Sequence, residues 1–90
     1  MTDIKIYVRR YNLAPILDII LESSNIYSYA VMLALALSLI DKAQEFEGVI
    51  YETEPNWNQR NDKETKITVF FKLIFKSRQN LEKFVKHLNS

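Results

Sequence analysis

Residues 12–23 read NLAPILDIILES, and whether this stretch is helix or strand decides the architecture. Leu13, Ile16, Leu17, Ile20 and Leu21 recur at helical spacing, with Asp18 and Glu22 on the opposite side. Pro15 is tolerated in a first helical turn, with Asn12 or Leu13 near the cap. The spacing therefore predicts an amphipathic helix over 13–24. Ser23, Ser24 and Asn25 then interrupt the pattern and offer an N-cap for a second helix.

That second helix is expected over 26–47, ending at Gly48, the only glycine. A left-handed C′ position is the natural job for it. Around Leu33–Ile40 the segment is apolar on nearly every side, so it must be covered on more than one. The sheet would lie on one side, and the first helix or another subunit on the other.

Outward from the helices, strands are expected. In residues 3–11, DIKIYVRRY, Ile4, Ile6 and Val8 alternate with Lys5, Tyr7, Arg9 and Tyr11. GVIYETE (48–54) and TKITVFFKLIF (65–75) are rich in β-branched and aromatic residues. The second of these is the longest and most apolar strand and belongs in the middle of the sheet. Ile67, Val69, Phe71, Leu73 and Phe75 line its inner face. Matching faces sets Val49 against Phe71, Tyr51 against Val69 and Thr53 against Ile67, leaving Ile50 beside Phe70 on the outer side. SRQNLEKFVKHLNS closes the chain as an amphipathic helix, with Ser77 as N-cap and Leu81, Phe84, Val85 and Leu88 on one face.

The expected order is β-α-α-β-β-α: an α+β domain spanning residues 1–90, with a three-stranded sheet and helices on one face. The first strand pairs beside the last. This resembles a ferredoxin-like βαββαβ fold lacking its final strand, and that resemblance concerns the fold only.

Composition narrows the function classes. The chain has no cysteine, which excludes disulfides, a thiolate nucleophile and cysteine-ligated zinc. The N-terminus lacks the charged-then-apolar pattern of a signal peptide, and the longest apolar run, Ala30–Ile40, is too short to span a bilayer. A cytoplasmic protein without membrane insertion is the expectation. Net charge is only +1, but residues 41–64 carry seven acids and three bases, whereas 65–90 carry six bases and one acid. His87 is the single histidine, and the Asp18/Glu22 and Asp41/Glu45 pairs have no third clustered ligand in sequence. No catalytic motif, metal site or cofactor site is expected.

The outer sheet face carries the functional expectation. Tyr7, Arg9, Tyr11, Ile50, Phe70, Lys72 and Ile74 would give an aromatic-aliphatic centre with charges at its rim. Three readings fit: cover by the 13–24 helix, association with a second copy or a protein partner, and stacking of single-stranded nucleic acid. The absence of a glycine in KITVFFKLIF weakens the last. Two first strands could also pair edge to edge, unless Arg9 and Arg10 blunt that edge. The segment EPNWNQRNDKET (54–65) is expected to be a long hairpin loop, with Trp57 and Arg60 as further partner contacts. A non-enzymatic interaction or regulatory protein, working as a homodimer or by docking a protein partner, is the leading expectation. Single-stranded nucleic-acid binding is the alternative.

Overall fold

The computed structural model describes residues 4–51, 56–61 and 66–89, with 56–61 described at the backbone. It is an α+β structure. Its strands are β1 (Lys5–Arg10), β2 (Ile16–Ser23), β3 (Gly48–Ile50), β4 (Asn56–Asn61) and β5 (Lys66–Phe75). Two α-helices, α1 (Tyr29–Gln44) and α2 (Arg78–Leu88), follow β2 and β5. The sheet order is β1-β2-β5-β3, with β4 also on β5, and every pairing is antiparallel. β3 and β4 take successive stretches of one edge of β5, so the sheet is four strands wide.

The decisive correction is at 16–23. The expected helix is a central strand, paired with β1 on one side and β5 on the other. A strand buried on both faces reads as a near-continuous apolar run, and ILDIIL satisfies that pattern as well as a helical one. Ile19 separates the two readings. A helix would put it beside Asp18 and Glu22 on the wet side, yet it is fully buried in the core with Leu17 and Leu21. NLAP becomes the β1–β2 turn, closed by the Tyr11 N–H donating to the Ile16 carbonyl at 3.2 Å. Pro15 sits just before the strand, where its missing N–H is harmless, and its carbonyl accepts from the Phe75 N–H at 2.9 Å.

The sheet is therefore four strands wide rather than three, and β1 lies beside β2, not beside β5. β5 is central as expected. The ferredoxin-like detail is not matched: the extra edge strand precedes the β-α-β-β-α portion instead of being missing after it. β2 and β3 run parallel with β5 between them, and α1 crosses from one to the other.

One face of the sheet is packed. Leu17, Ile19 and Leu21 of β2 join Ile67, Val69, Phe71, Leu73 and Phe75 of β5 beneath Met32, Ala36 and Ala43 of α1 and Leu81, Phe84 and Val85 of α2. Each of the larger side chains among them, leucine, isoleucine, valine, methionine or phenylalanine, contributes about 1.5–3 kcal/mol on burial. α2 has the expected cap, with the Asn80 N–H donating to the Ser77 Oγ at 3.1 Å. A 3-10 turn at Ile26–Ser28 leads into α1, and the Asn25 side chain accepts from the Tyr27 N–H at 2.9 Å. Arg78 ties α2 to the β1–β2 turn by donating to the carbonyls of Tyr11 and Ala14.

The β3–β5 register also departs from expectation. Val49 opposes Ile74, not Phe71, and Ile50 opposes Leu73. A three-residue slip is odd, so the faces exchange. Ile50 packs against the core, while Val49 and Tyr51 point outward and are about half exposed. The cause is Gly48. It is buried, and a Cβ there would lie under 3.0 Å from three atoms of the Phe75 ring. That ring stacks on Phe84 at 5.4 Å, so glycine is needed for close approach. The left-handed conformation falls instead on Glu47, at φ 61°. Residues 56–61 are a strand where a loop was expected, because an edge strand pairs through its backbone and tolerates NWNQRN. The remainder of 54–65 lies outside the described residues.

Two stability measurements check this account. Ile19→Ala should lower the unfolding free energy by about 2–4 kcal/mol in urea, as for a core aliphatic, whereas a solvated helical position would change little. Gly48→Ala should cost about 1–3 kcal/mol through displacement of the Phe75 ring. An unchanged melting temperature for Gly48→Ala would contradict the close packing.

Candidate functional site on the outer sheet face

The register of β1, β2, β5 and β3 places side chains of the unpacked face in rows. Lys5, Glu22 and Thr68 form the first. Tyr7, Ile20 and Phe70 form an apolar second. Arg9, Asp18 and Lys72 make a charged third. Ile16, Ile74 and Val49 form a second apolar row, and Tyr11, following Arg9 on β1, adjoins it. The expected Tyr7, Arg9, Tyr11, Phe70, Lys72 and Ile74 thus share one face, though Ile20 separates Tyr7 from Phe70. Ile50 belongs to the other face. Trp57 and Arg60 lie on β4, and their side chains are outside the description.

Asp18 organises the charged row. Its side chain is fully buried, although the face is open, because its neighbours close over it. Both Nε (3.1 Å) and Nη2 of Arg9 donate to its Oδ2, while Oδ1 has no hydrogen-bond partner. Arg9 itself remains largely in solvent. The hydrogen bond and charge of Asp18 hold its guanidinium pKa above the ordinary value. Arg9 also stands 5.9 Å from the centroid of the Tyr11 ring. Lys72 Nζ is 5.8 Å from the Tyr11 centroid and 6.0 Å from that of Phe70. Both distances fall within cation–π range. Glu22 is 3.6 Å from Lys66 and stands opposite Lys5 on β1. Among the described residues, the acids on this face, Asp18 and Glu22, are therefore each engaged with a base.

The edge strand β1 carries Arg10 as well, which donates to Glu82 of α2 at 3.1 Å. That hydrogen bond, helped by Arg78, holds the Glu82 carboxyl below its usual pKa. Cations along an edge discourage pairing with another strand, and here two of them are also anchored to the body of the protein.

Sequence reasoning missed Ile16, Asp18, Ile20, Val49 and Tyr51 on this face. The first three went with the helical reading, and the last two with the slipped register. The proposed helical cover is overturned too, since that segment is in the sheet and no described helix crosses the face. Elsewhere, Asp41 on α1 and Glu45 at its C-cap are exposed, with Glu45 paired to Lys42 at 3.3 Å. His87 is exposed against the Phe46 ring, 5.8 Å between centroids. No three His, Asp or Glu side chains among the described residues converge as a metal site. No described helix is long and apolar enough to cross a membrane. No protein-family model matches the chain, and no curated protein shows significant similarity to it.

The half-buried pair makes a testable asymmetry. Arg9→Ala leaves a buried carboxylate without its guanidinium, whereas Arg9→Ala/Asp18→Val removes the carboxylate as well. Urea unfolding should find the double variant more stable than Arg9→Ala alone. The reverse order would mean that Asp18 is stabilised by something other than Arg9.

Proposed function

We propose that this protein is a non-enzymatic docking module that takes a protein partner on its outer sheet face, with the adjoining 54–65 segment as a second contact. The observation that carries this reading is the row pattern. Two apolar rows, Tyr7-Ile20-Phe70 and Ile16-Ile74-Val49, flank a charged row pinned from below by buried Asp18. Tyr7, Val49 and Tyr51 are each about half exposed. Apolar area with few, oriented charges suits a protein interface core, and aromatic residues and arginine are its favoured anchors.

Nucleic acid is the competing occupant, and Lys72 between two aromatic rings favours it. The charge balance does not. Asp18 engages Arg9 and Glu22 engages Lys66, so cations that would meet phosphates already have protein partners. Net charge is only +1.

Peptides selected from a displayed library against the wild type should bind Phe70→Asp about tenfold more weakly or worse. They should bind variants of the exposed side of α1 unchanged. Peptides indifferent to Phe70→Asp would sink the docking reading. Trp57 fluorescence titrations with single-stranded oligonucleotides at two salt concentrations address the rival. Binding that tightens as salt is lowered and is lost in Phe70→Asp would transfer the face to nucleic acid.

A further inference from the structure

We infer that the free edge of β1 takes an extended, acidic segment of a partner protein as an additional antiparallel strand. Among the described residues β1 pairs with β2 alone, so one side of its backbone meets no other strand. The alternation of the ladder identifies the groups left over. The Tyr11 N–H donates to the Ile16 carbonyl, and residues 11 and 16 continue the β1–β2 register. Hydrogen-bonded pairs recur at every second residue of an antiparallel ladder, so Arg9, Tyr7 and Lys5 turn their N–H and C=O groups toward β2. Ile6 and Val8 turn theirs outward.

The edge itself specifies what fits it. Outward N–H and C=O groups at alternate residues call for the backbone of an extended chain, which neither a nucleic acid nor a helix supplies. The side chains of the same two residues lie on the inner side of the sheet, where cover stops short of the edge and Ile6 is 48% exposed. Apolar residues opposite Ile6 and Val8 would extend the core layer by one strand. On the outer side the added strand continues the rows that begin at Lys5, Tyr7 and Arg9.

Charge sets the rest of the pattern. Lys5–Arg10 contains three cations and no acid. Arg10 is engaged by Glu82, whereas Lys5 is exposed and Arg9, though held by Asp18, keeps 69% of its side chain in solvent. Opposite charges facing one another across a strand pair stabilise it, so acids belong opposite Lys5 and Arg9 and an aromatic residue opposite Tyr7. The segment recognised therefore reads acid-apolar-aromatic-apolar-acid. Two copies of β1 would instead add their like charges along one edge. The same cations thus repel the strand's own kind and select an acidic partner. The inference goes beyond the docking reading and does not rest on it, because Phe70 is two strands away from this edge.

A peptide with the core EVYVE, titrated to about 2 mM into the isotope-labelled full chain, tests this by NMR. The Ile6 and Val8 amides should shift and become protected from solvent exchange, and Phe70→Asp should bind the peptide equally well. N-methylation of both peptide valines, whose N–H groups face β1, should abolish binding, while N-methylation of the tyrosine, whose N–H faces away, should be tolerated. A KVYVK core should bind about tenfold more weakly or worse, and Lys5→Glu should recover part of that loss. No shift at the highest concentration overturns the proposal. So does valine methylation without loss, or equal affinity for the two cores. Loss of EVYVE binding in Phe70→Asp would move the contact to the outer face and overturn it as well. Protection of Ile6 and Val8 that rises with protein concentration in the absence of peptide would give the edge to a second copy, which likewise overturns it.

Discussion

β2 and β5 pair over eight residues, from Ile16 opposite Ile74 to Ser23 opposite Ile67, and every other element takes its place from that ladder. The two strands together supply most of the inner face on which both helices rest. Because β1 and the β3–β4 edge flank them, neither strand has a free backbone edge. Both are then committed on two faces as well, one to the core and one to the outer surface. This explains why ILDIIL and VFFKLIF are so apolar and why each tolerates one charged residue. Asp18 and Lys72 are cross-strand partners on the outer side, where charge can meet charge.

That commitment gives the outer face its character. A carboxylate at the centre of a sheet is costly to bury unless hydrogen-bonded, and Arg9 supplies two donors to it. In return the guanidinium is held over the face next to Tyr11 instead of sweeping through solvent. The face presents apolar rows with a fixed polar stripe between them. Orientation of that kind reduces the ordering cost a partner must meet on binding. The opposite side of the molecule is different in kind. There α1 presents small and aliphatic residues, Ala30, Val31, Ala34 and Leu37 among them.

Local pattern was enough where an element has one wet side. β1 alternates up to Arg10, which ends the apolar side of the strand at Glu82, and α2 places Leu81, Phe84, Val85 and Leu88 on one stripe behind a serine cap. β5 alternates inner apolar residues with a mixed outer set, and its central position followed from length and hydropathy. Tyr7, Arg9, Tyr11, Phe70, Lys72 and Ile74 could be assigned to one face from alternation alone. The pattern failed where both sides are covered. Leu13, Ile16, Leu17, Ile20 and Leu21 fit a helix by spacing, and only Ile19 and the run of β-branched residues spoke against it. Gly48 misled in the same way, because a lone glycine after a helix suggests a cap, whereas here it makes room for an aromatic ring.

The sequence by itself determined the core-facing residues of β5 and α2 and the outer face of β1, since those properties follow from the period of a single element. It also determined the absence of thiol chemistry. Only the tertiary structure decided that 16–23 is a strand between two others, that Val49 and Tyr51 face outward while Ile50 faces in, and that Asp18 is buried beside Arg9. The physical reason is the same in each case. Strand pairing and register are set by partners distant in the chain, and for β2 and β3 the decisive partner was β5, whose Phe75 ring and eight-residue ladder no local period encodes.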